Sequence, residues 1–326
     1  MNIKKFLGAE RLLAVVAAAG LMSLAFEPVN FWWVAFFGFV PCLLIMLKEA
    51  KAGTVMAEGF LWGFVFYGWN ARWFWNIFAE FSLFLWALLA FYGAIFALVF
   101  WLIKRRFGPV AALMASPLFW VGIEWFRSEG HYLKFAWLSP GFSQSSNLPL
   151  VQFASVLGVY GLSFLVVGVN ASVALLVMHW KERCVRIVAA CFIGGVMVIE
   201  LSGWILLRFC PDRGDMPVAL VQTETASFHF NSFFSRKAPA GTRLIVWPEY
   251  GVFDVMDASL QGKFEQLASQ QKAVIVAGCK SLVPGGNGKT YNSAAIIDPE
   301  RGLVGLYHKA NPVQFFDDGV PGKEFP

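Results

Sequence analysis

The sequence predicts a polytopic α-helical membrane domain of about seven spans over residues 1–210, followed by a partial α/β domain over residues 211–326. Three observations predict it. The 326 residues are 58% hydrophobic and 14% charged, with 34 Phe and 14 Trp, the composition of a membrane protein. Long apolar runs, several near the roughly 20 residues that cross a bilayer, fill the first two thirds. After Cys210 the apolar runs shorten to strand length and alternate with turn signals.

The predicted spans lie near Leu12–Phe26, Phe31–Leu47, Met56–Trp75, Phe81–Ile103, Val110–Phe126, Phe153–Met178 and Ile187–Phe209. The first and fifth are short. Because further spans follow the first at once, it reads as a retained helix and not as a cleaved signal peptide. Gly59, Gly63 and Gly68 are spaced for close helix packing. Glu200, inside the last span, is an intramembrane carboxylate, read as hydrogen-bonded within the bundle.

The net charge of +5 is no nucleic-acid signal, because the basic residues fall in small clusters between apolar spans. Lys4, Lys5, Arg11, Lys48, Lys51, Lys104, Arg105, Arg106, Lys181, Arg183 and Arg186 alternate by loop. The positive-inside rule then places the N-terminus in the cytoplasm and everything after the seventh span outside it. The five cysteines show neither CxxC nor Cys/His metal spacing, and PGGNGK lacks P-loop spacing, so no cofactor, metal or nucleotide is predicted. The loop after the fifth span interleaves Glu124, Arg127, Glu129, His131 and Lys134 with aromatic residues. It reads either as an interfacial belt or, through Arg127, as a contact for a phosphate headgroup.

In the second domain VALVQ (218–222), RLIVWP, AVIVAG (273–278), SAAIID (293–298) and LVGLYHK (303–309) read as strands, with a helix over FEQLASQQ (264–271) between the second and third. That order predicts a sheet covered on both sides. LIVWPEYG is its centre. A buried strand ends at Pro248, which has no N–H for the ladder, and Glu249 is held at the strand end, placed to act as a general base.

Taken in order, VALVQ, LIVWPE, YNSAAIID and GLVGLYHK resemble the first half of a nitrilase-type (carbon–nitrogen hydrolase) domain. Placed behind seven spans, and with EWFR…WLSPGFSQ…LPLVQFASVLGVYG in the preceding loop, the chain resembles the bacterial apolipoprotein N-acyltransferases. The resemblance implies an αββα sandwich with a Glu–Lys–Cys triad on the outer face of the inner membrane. It implies a phospholipid acyl donor and a diacylglyceryl-lipoprotein acceptor. Glu249 would be the general base, Lys309 the oxyanion-stabilising cation and Asp317 an auxiliary carboxylate. Tyr250, Phe230 and Arg127 are candidate substrate contacts.

The sequence departs from that pattern in places. The triad cysteine and a last span are expected after Pro326, so the chain reads as a fragment or as a truncated product unable to form a thioester. Cys279 follows a strand but precedes YNS and YHK, the wrong order for the nucleophile. WPE is followed by Tyr250, and ANPVQFFDDGVPG stands where the family has an LVPFGE-like stretch. The departures at Tyr250 and Asp317 keep open a membrane-tethered amidase or other nitrilase-type acyltransferase, and Glu200 with the charged loop around Arg127 keeps open a non-catalytic transporter or lipid-binding protein.

Overall fold

The computed structural model describes residues 8–130, 134–210, 214–313 and 318–322. The chain divides into two compact units, Met1–Cys210 and Pro211–Pro326.

The first unit is helical: α1 (Ala9–Ser23), α2 (Val40–Lys48), α3 (Ala52–Asn70), α4 (Phe81–Phe107), α5 (Pro109–Trp125), α6 (Ala154–His179) and α7 (Arg183–Phe209). Among the described residues four helices are long and apolar enough to cross a membrane: Phe81–Phe107, Pro109–Gly130, Ala154–His179 and Arg183–Phe209. The count of about seven is therefore not reached by length and apolarity alone. Helix α1 has 15 residues. The predicted span 31–47 is broken at Phe39, because Pro41 at the start of α2 has no N–H for an interior helical bond. The break is compensated from α6: Asn170 accepts from the Phe39 N–H at 2.9 Å and donates to the Ala35 carbonyl at 2.7 Å. Helix α3 has 19 residues, but Glu58, Asn70 and its glycines lower its apolarity.

Helices α3 and α4 meet through small residues. A Cβ on Gly59 would lie 2.3 Å from the Gly93 carbonyl oxygen, and one on Gly63 would lie 2.9 Å from the Ala90 Cα, so the backbones touch there. Gly68 is not part of that seam; its nearest neighbour is the Trp86 ring, at ordinary contact distance. Glu200 on α7 accepts a hydrogen bond from Asn147 Nδ2 at 3.2 Å, as expected of a carboxylate bonded within the bundle.

The second unit is a single mixed sheet: β1 (Val218–Leu220), β2 (Leu244–Val246), β3 (Val252–Asp254), β4 (Val274–Leu282), β5 (Thr290–Asp298) and β6 (Gly302–His308). Its order is β1-β2-β4-β5-β6, with β3 also pairing β4. Strands β1, β2 and β4 run parallel; β4, β5 and β6 run antiparallel. Alternation along β4 turns Ile275, Ala277 and Cys279 to one face, where they pack with Phe264, Leu267 and Ala268 of helix α9 (Ala258–Gln271). Asp257 caps α9 by accepting from the Ser259 N–H at 2.8 Å. The segment between β1 and β2 contains a helix, α8 (Phe228–Ser235).

Candidate active site

The site is built at the carboxyl end of β2, and each neighbouring element fixes one part of it. The Trp247 N–H continues the ladder to the Val276 carbonyl at 2.8 Å, and its indole donates to Ser235 Oγ on α8 at 2.8 Å. Pro248 then turns the chain away. Asn231 of α8, fully buried, receives the Thr223 hydroxyl at 2.6 Å and donates to the Gly251 carbonyl at 2.8 Å, closing the turn from the other side. The turn rests directly on β4. A Cβ on Gly278 would stand 2.2 Å from the Pro248 carbonyl oxygen, so only glycine allows this approach. Glu249 is thereby held on a rigid corner and remains 56% exposed.

The opposite face of the β4–β5–β6 meander brings the partners. Asn292 on β5 lies opposite Lys280 in register, and its carbonyl accepts from the Lys309 N–H at 2.8 Å. This register puts the Lys309 ammonium 2.9 Å from Glu249 Oε1. It also lies 3.0 Å from Asp318 Oδ2. Asn292 Nδ2 donates to both carboxylates, reaching Asp318 Oδ1 at 2.7 Å. The Tyr250 hydroxyl donates to the same Asp318 oxygen at 2.6 Å. Segment 318–322 is seated by Val320 N–H on the Thr290 carbonyl and Gly322 N–H on the Lys309 carbonyl, both at 2.9 Å.

The electrostatics separate the two carboxylates. Asp318 is 5% exposed and takes donors from Tyr250, Asn292, Val313 and Lys309. Burial works against its ionisation, but the Tyr250 hydroxyl, the Val313 N–H and the Lys309 and Asn292 bonds outweigh it and hold the carboxyl down at about 2. Partial burial likewise works against the Lys309 charge, and Glu249 and Asp318 together reverse that and hold the ammonium above the usual lysine value. Both carboxylates hold the cation, one buried and the other exposed.

Of the residues read from the sequence, Glu249 and Lys309 meet. Asp317 lies outside the described residues, as does His131. The carboxylate seen on Lys309 is Asp318, its neighbour in the DD pair. Tyr250 touches Asp318 through its hydroxyl. Phe230, on α8, is exposed and packs edge-on against Phe234 at 5.1 Å between centroids. Asn292 was missed as a site residue although YNS was read as a motif; what identifies it is its register opposite Lys280. Cys279 is fully buried, and burial followed by the nearby Asp254 charge pushes its thiol up to about 12, a poor nucleophile.

In the first unit Arg127 is 4% exposed. It donates to the Tyr67 hydroxyl, to the Trp137 carbonyl at 3.1 Å and to Ser139 Oγ at 2.9 Å, which ties down the loop after α5. Among the described residues no ion pair joins it to Glu124, whose carboxylate accepts from Ser163 Oγ at 2.9 Å. These bonds make Arg127 an anchor of its loop. The same unit holds a cavity of about 1060 Å³ lined by Trp73, Trp75, Trp86, Phe135 and Trp137 with Arg72 at its wall.

The mixed sheet carries a glutamate and a lysine at its strand ends, and the carbon–nitrogen hydrolase family model matches residues 218–324. Residues 18–172 match the apolipoprotein N-acyltransferase N-terminal domain. With both domains in this order, the chain belongs to the apolipoprotein N-acyltransferase family. It is 27% identical to the apolipoprotein N-acyltransferase of Coxiella burnetii over 95% of this chain and 67% of that protein. It is also 27% identical to that of Geobacter metallireducens, over 93% of this chain and 64% of that protein. With that of Photobacterium profundum it shares 28% over 68% of this chain and 44% of that protein. The chain thus spans about two thirds of the length of the first two relatives.

Proposed function

We infer that the chain is part of a membrane N-acyltransferase that moves an acyl chain from a phospholipid to the N-terminal amine of a diacylglyceryl lipoprotein. The observation that carries this reading is the Glu249–Lys309 contact of 2.9 Å beside a buried, saturated Asp318. The open carboxylate is the base, and the lysine is held charged for the oxyanion. On this reading the nucleophile is a cysteine thiol outside residues 1–326, brought to Glu249.

The chemistry then runs in two displacements. Glu249 takes the thiol proton, and the thiolate attacks the phospholipid ester carbonyl. The tetrahedral oxyanion forms beside the Lys309 ammonium, a preorganised cation worth about 3 kcal/mol in such sites. Collapse breaks the ester C–O bond and leaves a thioester; the departing lysophospholipid alkoxide takes the proton from Glu249. In the second half the lipoprotein amine attacks the thioester carbonyl, its proton passes to Glu249, and the thiolate leaves. Asp318 stays ionised throughout and keeps Lys309 protonated.

Membrane attachment supports the choice of substrates, because both are lipid-anchored and the aromatic cavity of the first unit is of a size and character suited to lipid. The reading includes an inner-membrane, multi-pass arrangement of about seven spans, an N-terminus in the cytoplasm and the hydrolase-type domain outside it. The shorter helices α1 and α3 and the broken α2 region complete the count.

The test is transfer by the full-length protein from phospholipid vesicles to a diacylated lipopeptide. E249Q and K309M are each expected to lower the rate by roughly 100-fold or more; wild-type rates in either would sink the reading. Tyr250 and Asp317, which depart from the family pattern in sequence, favour a second reading, a tethered amidase. It would be supported by hydrolysis of small amides without transfer from phospholipid.

A further inference from the structure

Tyr250 stands in a conformation that its residue type avoids. Its φ is 55°, in the left-handed region, although a glycine follows it directly. Such a backbone persists where the surroundings over-determine it, and it invites a search for what the conformation achieves. What it achieves here is reach. The left-handed turn carries the phenol toward the segment after β6, and the hydroxyl lands 2.6 Å from Asp318 Oδ1, 68 residues away. That bond joins the Glu249 turn to the segment that carries the lysine's second carboxylate.

The geometry of Asp318 shows why the bond matters. One oxygen takes Tyr250 and Asn292, and the other takes the Val313 N–H and the Lys309 ammonium. A carboxylate with four donors has one orientation, and the lysine bonded to it inherits that orientation. The Lys280 ammonium lies over the Tyr250 ring, 5.3 Å from its centroid. A cation on the ring face draws density from the phenol and makes its hydroxyl a better donor to the carboxylate. Asn292 of β5 and Tyr250 of the Glu249 turn thus meet on one oxygen, and Lys280, directly opposite Asn292 on β4, backs the tyrosine ring.

We propose that Tyr250 is a positioning residue: its hydroxyl orients Asp318, and through Asp318 it holds the Lys309 ammonium beside Glu249. The inference rests on Glu249 and Lys309 being the reacting pair. It competes with the view that the Tyr250 ring is a wall for the acyl chain, and the two differ in what the hydroxyl contributes.

Y250F in the full-length protein removes the hydroxyl and keeps the ring. With phosphatidylethanolamine vesicles and a diacylated lipopeptide, kcat is expected to fall about tenfold while KM for phospholipid stays within about twofold, because the group acts on the cation and not on the substrate. The alkaline limb of the pH–rate profile moves to lower pH, since a less firmly held Asp318 supports the Lys309 charge less. In a D318N background Y250F is expected to change kcat by less than about twofold, the signature of a residue acting through its partner. Equal losses in both backgrounds, a change in KM alone, or a Y250F enzyme with wild-type kcat and pH profile would each overturn the proposal. E249Q separates the two levels. If E249Q transfers normally the underlying reading fails; if E249Q is inactive while Y250F matches wild type, only the role of Tyr250 falls.

Discussion

The ammonium of Lys309 lies 2.9 Å from Glu249 Oε1 and 3.0 Å from Asp318 Oδ2, yet the two carboxylates differ tenfold in exposure, 56% against 5%. That asymmetry supports the proposed roles, Glu249 as the base and Asp318 as the anion that holds the lysine. The buried carboxylate, with four donors, is held ionised, and the exposed one is accessible to an approaching group.

Asp318 therefore contributes stability with a definite pH dependence. Its carboxyl is lowered from 3.8 to about 2 in the folded protein, a difference worth about 2 kcal/mol. The folded value lies below the unfolded one, so this stabilisation is present above about pH 4 and is lost as the pH falls through 2. Denaturant unfolding followed by fluorescence is expected to show D318N less stable than wild type at pH 6, with the gap narrowing by pH 2.5. A gap independent of pH would contradict the ion pairing.

Lys309 titrates in the opposite sense. Its folded value is raised, so its contribution is full below the unfolded lysine value and is lost as the pH rises through the folded one. D318N removes one of the two anions, and the alkaline limb of acyl transfer is expected to move to lower pH; an unmoved limb would show that Asp318 does not hold the lysine charge.

Gly278 tests the corner under Glu249. In G278A the new Cβ meets the Pro248 carbonyl oxygen at 2.2 Å, so the turn must shift. We expect a stability loss of about 1–3 kcal/mol and a fall in transfer of roughly 100-fold from the displaced base. Near-native activity would mean that the corner does not set the base.

Cys279 tests the assignment by exclusion. It is fully buried against the helix α9 side of the sheet, and C279A is expected to keep transfer within about twofold while lowering stability by about 1 kcal/mol. Loss of acylation in C279A would make it the nucleophile and overturn the mechanism.

In the helical unit Asn170 carries the break at Phe39. N170A leaves the Phe39 N–H and the Ala35 carbonyl without their side-chain partner, at a cost of about 1–3 kcal/mol. Thermal unfolding in detergent is expected to drop by several degrees.

The sequence made the hydrolase-type strands legible because LIVWP, AVIVAG and YNSAAIID are short apolar runs bounded by proline, glycine and acidic turns. Glu249 could be read from its place at a strand end, and Lys309 from the family resemblance that GLVGLYHK carries. Asn292 could not, because its role comes from a register between β4 and β5 that no local pattern encodes. Asp317 is the carboxylate that the family resemblance points to; the role of its neighbour Asp318 rests on the Tyr250 hydroxyl, which comes from 68 residues away. In the helical unit the apolar runs were legible but their continuity was not. Pro41 interrupts one run, and the compensating Asn170 sits 131 residues from Phe39. Arg127 looked open because its loop is charged and aromatic, whereas Tyr67 and Ser139, distant from each other in sequence, close around it.

The most direct test of the central claim is a mass measurement on the full-length protein after incubation with phospholipid and no acceptor. The account predicts that wild-type protein gains one acyl chain as a hydroxylamine-labile thioester, and that E249Q gains none over the same time. An E249Q protein that acylates as fast as wild type would show that Glu249 is not the base, and the proposed mechanism would have to be abandoned.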